Sequence, residues 1–191
     1  MTTLPDSDLK PWTVTSSRDV IRDRWVKLRA EDCMTAEGVE VTPYYVLEYP
    51  DWVQIVAIDD EDHLILVRQY RHGFGGISLE VPAGTVDEED PSPLATAARE
   101  LEEETGYVAE HWRYLGKHSP NPATHTNFCH TVLAQGLSLS GKTLDDPTEQ
   151  IQVVRVPVQE AFRLAADGTI TNAPQIASLA IALGAIGKWN P

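Results

Sequence analysis

The sequence has few cysteines and no long apolar run, and both absences narrow the class of protein. Among its 191 residues the only cysteines are Cys33 and Cys129, and they form no Cys-x-x-Cys pair. Two cysteines are too few for a disulfide framework, which favours a reducing cytoplasm with free thiols. The longest apolar tract, 176–187, is shorter than the ~20 residues needed to cross a bilayer. Residues 1–10 lack the basic and then apolar pattern of a secretory signal, so we expect a cytoplasmic protein with no membrane partner.

Basic residues are also scarce. The chain has 15 Lys and Arg against 29 Asp and Glu, which gives a formal net charge of −14. This charge opposes binding to the phosphate backbone of nucleic acid, so we expect no nucleic-acid partner. A small phosphorylated substrate would need a cation, and Mg²⁺ or Mn²⁺ would serve because hard cations bind carboxylate and phosphate oxygens together.

The periodicity of the chain predicts a strand-rich first half and a mixed second half. Runs of β-branched and aromatic residues predict strands, whereas apolar residues at helical spacing predict helices. The predicted strands are 12–17, 25–33, 39–47, 52–58, 63–69, 114–118, 127–134 and 151–156. The predicted helices are 92–105, 157–166 and 173–186. Strands before, between and after the helices indicate an α/β sandwich with a mixed sheet.

The helix predicted at 92–105 has clear boundaries in the sequence. Ser92 can cap its start, Pro93 suits the first helical position, and Gly106 suits a left-handed exit.

Three carboxylates occupy one face near the end of this helix. Glu100, Glu103 and Glu104 stand at i, i+3 and i+4, whereas Glu102 points elsewhere. An ordinary solvated acidic face is one interpretation. Like charges at this spacing repel by ~0.2–0.5 kcal/mol per pair, and acids in a last turn oppose the helix dipole. A bound divalent metal would reverse both penalties, so we interpret the three glutamates as metal ligands, with Arg99 beside them to orient one carboxylate.

Residues 99–107, RELEEETGY, resemble the second half of the box of the Nudix hydrolase family, Arg-Glu-hydrophobic-any-Glu-Glu-any-Gly-hydrophobic. The first half of the box departs from the pattern. The stretch from Gly84 to Arg99 is one residue longer than in the family pattern, and the sixth residue after Gly84 is Asp90 rather than Glu. An insertion in this acidic loop leaves Glu89 or Asp90 in the role of the loop glutamate.

The resemblance implies a fold, a division into domains and a set of metal ligands. The fold would be a Nudix-type α/β/α sandwich with a mixed sheet, plus an N-terminal antiparallel β segment. Residues 1–50 would form a β-rich segment for dimerisation and substrate binding, and 51–191 the Nudix hydrolase domain. The implied catalytic and metal-binding residues are Ala83, through its carbonyl, Arg99, Glu100, Glu103 and Glu104.

The order RQYR at 68–71, EVPAG at 80–84 and then the box is similar to the branch that cleaves ADP-ribose and related nucleoside diphosphate sugars. This similarity implies substrate contacts at Arg68, Arg71, Glu80 and Gly84. Arg71 would either neutralise a phosphate or be a plain surface cation.

The same branch implies three further roles. Its N-terminal strands pair two subunits and contribute aromatic stacking for the base, which here implicates Trp12 or Trp25. Core or interface packing is an equal interpretation of either tryptophan. A mobile loop glutamate often acts as general base in this branch, and Glu149 is the candidate, with an ordinary acidic loop as the alternative.

The resulting expectation is metal-dependent hydrolysis of the diphosphate linkage of ADP-ribose or a related nucleoside diphosphate sugar, in a homodimer. The products would be a nucleoside monophosphate and a sugar phosphate. Two alternatives stay open: a nucleoside triphosphate or dinucleotide polyphosphate pyrophosphohydrolase, and a non-catalytic nucleotide-sugar sensor. The segment 119–127 differs from the Ser-Pro-Gly segment usual in ADP-ribose enzymes, which leaves the sugar open.

Overall fold

The structure, a computed structural model, describes residues 7–141 and 150–189. Its contacts fall into two compact units. One unit ends at Tyr49 and also takes in Asn121–Thr126. The other comprises Pro50–Pro120 and resumes at Asn127.

The first unit is built on a three-stranded antiparallel sheet in the order β1-β2-β3. The strands are β1 (Thr13–Arg22), β2 (Lys27–Met34) and β3 (Glu40–Glu48). Gly38, at φ 82°, makes the turn between β2 and β3, where a side chain would be strained. Every residue of β1 is exposed, so this strand forms an open edge of the sheet in its unit.

The second unit contains a mixed sheet whose main path is β10-β5-β4-β9-β8. In this sheet β6 pairs with β5 and β7 pairs with β4, and the pairing is antiparallel except between β4 and β9. The strands are β4 (Trp52–Ile58), β5 (His63–Arg71), β6 (Gly76–Glu80), β7 (Ala83–Thr85), β8 (Tyr107–His118), β9 (Cys129–Leu139) and β10 (Gln152–Pro157).

Helices cover both faces of this sheet. They are α1 (Pro93–Thr105), α2 (Ala161–Ala166), which follows a 3₁₀ turn at Val158–Glu160, and α3 (Ala173–Ala185). Side chains alternate along β4: Ile55 belongs to the core cluster that contains Leu101 of α1, and Val56 to the cluster that contains Leu179 of α3. The predicted α/β/α sandwich with a mixed sheet is confirmed. None of the helices in the described part of the chain is long and apolar enough to span a membrane.

Several element boundaries differ from the prediction. Strand β8 begins at Tyr107, seven residues before the predicted start. The prediction missed residues 107–113 because the exposed polar residues Glu110, His111 and Arg113 interrupt the apolar ones. The sequence also did not predict β6 or the three-residue β7, which are short and contain or adjoin glycine. Strand β7 matters most, because it lies against α1 and forms one side of the site.

Candidate active site

Local capping fixes the register of α1. The Ser92 hydroxyl accepts a hydrogen bond from the Ala95 N–H at 3.2 Å, and the helix ends on Gly106 at φ 70°. These are the predicted caps, and they set which way the acidic side chains of the last turns project. Glu100 and Glu104 line a cavity of about 760 Å³, whereas Glu103 is not among its lining residues.

The approach of β7 to α1 depends on Gly84. A Cβ atom at this position would lie 2.6 Å from Glu100 Cγ and closer still to the Glu100 carboxyl. Only glycine therefore leaves room for this carboxylate between the strand and the helix. On the same strand the Ala83 N–H donates to Glu104 Oε2 at 3.0 Å. Strand and helix thus place two carboxylates beside the Ala83–Gly84 backbone.

Arg99 is surrounded by acceptors. Its Nη1 donates to Glu100 Oε1 and to Glu103 Oε2, both at 2.9 Å. Its Nη2 donates to Asp90 Oδ2 at 3.0 Å and to the Thr85 carbonyl at 3.4 Å. These bonds, with the negative charge of Glu100, raise the pKa of the Arg99 guanidinium above its ordinary value. Arg99 therefore stays charged and contacts carboxylates on both sides of it, while its role in the reaction stays a prediction.

The acidic loop before α1 offered two candidates for the additional carboxylate of the box. Asp90 bonds to Arg99 and also accepts from the Thr96 hydroxyl at 2.9 Å. The hydrogen bond from Arg99 lowers the Asp90 pKa below its ordinary value. Glu89 is exposed. The described geometry thus connects Asp90, and not Glu89, to the residues of the helix.

Arg71, Glu80 and Gln175 form a second group that lines the cavity. The Arg71 guanidinium makes a bidentate contact with Glu80, from Nε to Oε1 at 2.9 Å and from Nη2 to Oε2 at 2.8 Å. The Gln175 amide donates to Glu80 Oε2 at 3.0 Å. Burial alone would raise the pKa of Glu80, but its hydrogen bonds and the charge of Arg71 hold that pKa below its ordinary value. Glu80 is therefore a carboxylate at neutral pH, although only 2% of the residue is exposed.

The cavity between these groups is lined mostly by polar residues, with aromatic rings at two positions. Phe74 lies on the loop between β5 and β6, and Trp52 begins β4. The other lining residues are Gln54, Gln69, Arg71, Ser78, Glu80, Ala83, Gly84, Thr85, Asp87, Glu100, Glu104, Thr171, Asn172 and Gln175.

The donor set suits a hard divalent cation. Glu100, Glu104 and Ala83 line one cavity, and Gly84 leaves the space that the Glu100 carboxylate occupies. Carboxylate and carbonyl oxygens are the protein ligands that Mg²⁺ prefers. In the described ranges no three His, Cys, Asp or Glu side chains are already grouped around one ion position. Glu103 in particular is turned towards Arg99, so its part in metal binding stays a prediction.

The remaining predicted residues are Arg68, Trp12, Trp25 and Glu149. Arg68 is exposed on β5 and does not line the cavity, unlike Gln69 and Arg71, which lie on the opposite face of the strand. Trp12 and Trp25 belong to the first compact unit. The Trp12 and Tyr44 rings pack nearly perpendicular to each other, and the Arg24 guanidinium lies 4.0 Å from the centre of the Trp25 ring. Glu149 lies outside the described residues.

Sequence reasoning missed several residues of the cavity, above all Gln175, Asn172 and Phe74. Asn172 caps the start of α3, where its side chain accepts the Gln175 N–H. Gln175 is, with Ser178, one of two polar residues in a mainly apolar helix, and only 2% of it is exposed. A buried polar residue needs a partner, and that rule was the signal that could have identified it.

An α/β/α sandwich that places acidic and guanidinium groups around one cavity has the parts needed to act on a phosphate compound. Comparison with known proteins gives the family. The NUDIX domain matches residues 49–179, and the nucleoside diphosphate sugar hydrolase N-terminal domain matches residues 12–47. The chain belongs to the Nudix hydrolase family.

Similar proteins match over most of their length. An ADP-ribose pyrophosphatase of Bacillus subtilis is 30% identical over 150 residues, which is 78% of this chain and 80% of that protein. An ADP-ribose pyrophosphatase of Mycobacterium tuberculosis is 36% identical over 149 residues, 78% of this chain and 72% of that protein. The ADP compounds hydrolase NudE of Escherichia coli is 31% identical over 170 residues, 87% and 89% of the two chains. A crystal structure of an ADP compounds hydrolase matches 96% of this chain and 100% of its own with a TM-score of 0.84 at 29% identity.

Proposed function

We propose that this Nudix hydrolase cleaves the diphosphate linkage of ADP-ribose or a related nucleoside diphosphate sugar. The observation that carries the proposal is the arrangement of the cavity, in which Glu100 and Glu104 line the same space as Arg71. Water would add to one phosphorus as the bond to the bridging oxygen breaks. One product would be a nucleoside monophosphate and the other a sugar phosphate.

We assign metal binding to Ala83, Glu100, Glu103 and Glu104. A Mg²⁺ or Mn²⁺ ion held there would neutralise charge on the diphosphate and lower the pKa of the attacking water. Arg99 orients Glu100 and Glu103 through its hydrogen bonds. Because Gly84 has no side chain, β7 can lie close to α1 and still leave room for the Glu100 carboxylate at the cavity.

The charge of the cavity favours a diphosphate over a longer phosphate chain. Among the cavity residues found within 7–141 and 150–189, Arg71 is the one Lys or Arg. A diphosphate diester has about two negative charges, whereas a nucleoside triphosphate has about four and would need more cationic side chains near the acidic residues. The relatives named ADP-ribose pyrophosphatase and ADP compounds hydrolase support an ADP-linked substrate.

Three further roles belong to this proposal. Glu149 would take the proton from the attacking water as general base. Residues 1–50 would pair two subunits, which the exposed edge strand β1 supports, and 51–191 would form the catalytic domain. Trp12 or Trp25 would stack on the base. Light scattering of the purified protein tests the dimer, and a monomeric mass would contradict it.

The Glu103→Gln variant tests the assignment of the site. Purified protein is assayed with magnesium against ADP-ribose, sugar nucleotides, nucleoside triphosphates and dinucleotide polyphosphates. We expect the variant to lose at least ~10²-fold in kcat, because a charge that stabilises the transition state is removed. Glu102→Gln, on the same helix but off the Glu100–Glu103–Glu104 face, is the matched control and should retain wild-type turnover.

Each outcome of this panel has a defined meaning. Undiminished turnover of Glu103→Gln would refute the site assignment. Release of inorganic pyrophosphate would indicate a triphosphate substrate instead of a diphosphate sugar. Tight nucleotide binding without any turnover would indicate a non-catalytic sensor.

A further inference from the structure

Gln175 connects helix α3 to the end of β6 through two buried hydrogen bonds. Its side-chain NH₂ donates to Glu80 Oε2 at 3.0 Å, and its side-chain carbonyl accepts from the Val81 N–H at 2.9 Å. The residue is 2% exposed and lines the same cavity as Arg71. The single side-chain amide of Gln175 therefore forms hydrogen bonds with one oxygen of the Glu80 carboxylate and with the Val81 backbone N–H.

The hydrogen bond from Gln175 to Glu80 also restricts the orientation of Arg71. Both carboxylate oxygens accept from the Arg71 guanidinium, and Oε2 accepts from Gln175 as well. A bidentate contact fixes the plane of a guanidinium, and a carboxylate that cannot rotate fixes it more firmly. Because Glu80 is buried and Arg71 is 45% exposed, the array is anchored inside the protein and presents its cation at the cavity.

We propose that Gln175 is a positioning residue that sets the affinity of the cavity for the diphosphate group by holding Glu80, and through it Arg71, in place. This inference rests on the proposed function, since it assigns Arg71 to the phosphates of the substrate. Its ligand class is a nucleoside diphosphate or its sugar ester. Glutamine suits the position because it supplies a donor to the carboxylate and an acceptor to the backbone at once.

A purely structural role for Gln175, joining α3 to the sheet, makes a different prediction from positioning. Loss of a structural tie lowers stability and leaves the affinity of the folded protein unchanged at every pH. Loss of positioning changes substrate affinity, and a charge placed at residue 175 changes it in a pH-dependent way.

The Gln175→Glu variant separates these roles. It keeps the acceptor for Val81 but brings two carboxylates together, which strongly raises one pKa of the pair. Below that pKa the pair shares a proton and has the wild-type charge. Above it the extra negative charge opposes the attraction of Arg71 for phosphate. We expect the ratio of variant to wild-type KM to be near one at pH 5.5 and to rise about tenfold or more by pH 9, with kcat within about twofold.

Three further variants complete the design. Gln175→Leu removes both hydrogen bonds and should raise KM about tenfold at all pH values. The double variant with Glu80→Gln and Gln175→Glu leaves one carboxylate and one amide in the pair and should therefore abolish the pH dependence. Ala182→Gly lies in the same helix and away from the array; it should lower the Tm without changing KM.

Two readouts are used for every variant: KM and kcat for ADP-ribose with magnesium, and the Kd of ADP by calorimetry in EDTA. Circular dichroism confirms that each variant is folded. A pH-dependent loss of affinity in Gln175→Glu, by either readout, supports the proposal. Unchanged KM and Kd in both Gln175→Glu and Gln175→Leu, with only a lower Tm, would overturn it.

The same data distinguish this proposal from the proposed function. If wild-type protein turns over nucleotide sugars while the Gln175 variants keep its KM and Kd, only the role of Gln175 is wrong. If wild-type protein turns over none of them but Gln175→Glu weakens ADP binding as the pH rises, the function is wrong and the role of Gln175 stands. Failure of wild-type protein to bind ADP at all would overturn both.

Discussion

Replacing Gly84 by alanine should disable the site while leaving the fold intact. The added Cβ would lie 2.6 Å from Glu100 Cγ, against the ~3.5–4 Å of an ordinary carbon–carbon contact. The Glu100 side chain must therefore move by about 1 Å or more. It can do so by rotating about its own bonds, and Gly84 does not have a positive φ, so the backbone is compatible with alanine. We expect the free energy of unfolding to change by less than about 1 kcal/mol.

The catalytic cost should be much larger than the cost in stability. A displacement of ~1 Å in a positioned group can lower the rate ~10²-fold, which corresponds to ~2.7 kcal/mol of transition-state stabilisation. The assay is kcat/KM for ADP-ribose over a magnesium titration, with urea unfolding measured in parallel.

Gly184→Ala is the matched control for this experiment. Nothing lies within 4 Å of a Cβ at this exposed position of α3, and its φ is not positive. The control should keep its activity and gain up to ~1 kcal/mol of stability from the helical preference of alanine. Full activity of Gly84→Ala at the same magnesium requirement would refute the proposed geometry of Glu100.

Three other predictions follow from the structure, one each for Glu104, Glu80 and Cys129. Glu104→Gln can still accept from the Ala83 N–H, so it should fold normally but require at least about tenfold more magnesium for half-maximal activity; an unchanged requirement would remove Glu104 from the metal ligands. Glu80→Gln should lose about 1–3 kcal/mol of stability at pH 7, because a partner of Arg71 loses its charge. Since the folded pKa of Glu80 lies below its ordinary value of 4.5, this stabilisation is present above that value and is lost as the pH falls through the folded pKa. Urea unfolding of both proteins from pH 7 to pH 3 should show their difference shrinking, and a constant difference would contradict the assignment. Burial, with the charge of Asp51, raises the pKa of Cys129 to about 11. Its thiol should therefore resist iodoacetamide at pH 8 until the protein unfolds. Rapid labelling of the native protein would contradict this prediction.

The parts of the site that depend on local sequence were predictable. Ser92, Gly106 and the three glutamates of α1 lie within one helix and its caps, where spacing alone determines which side chains share a face. The helix accordingly begins and ends where the sequence predicts. The orienting contacts of Arg99 with its neighbours in the helix follow from the same short spacing.

The parts that depend on residues distant in the chain were not predictable from spacing. Gln175 meets Glu80 across 95 positions of sequence, and only the packing of α3 on the sheet brings them together. The proximity of Gly84 to Glu100 likewise requires β7 to pair with β4 beside α1. Phe74 sits on a glycine-rich loop whose composition does not indicate which way the ring points.

The most direct test of the central proposal is the identity of the products formed from ADP-ribose. Purified protein is incubated with ADP-ribose and magnesium, with and without excess EDTA, and the products are separated by ion-exchange chromatography. The proposal predicts AMP and ribose 5-phosphate in equal amounts, and no turnover in EDTA. Turnover that persists in EDTA, or no cleavage of ADP-ribose or any nucleoside diphosphate sugar, would contradict it.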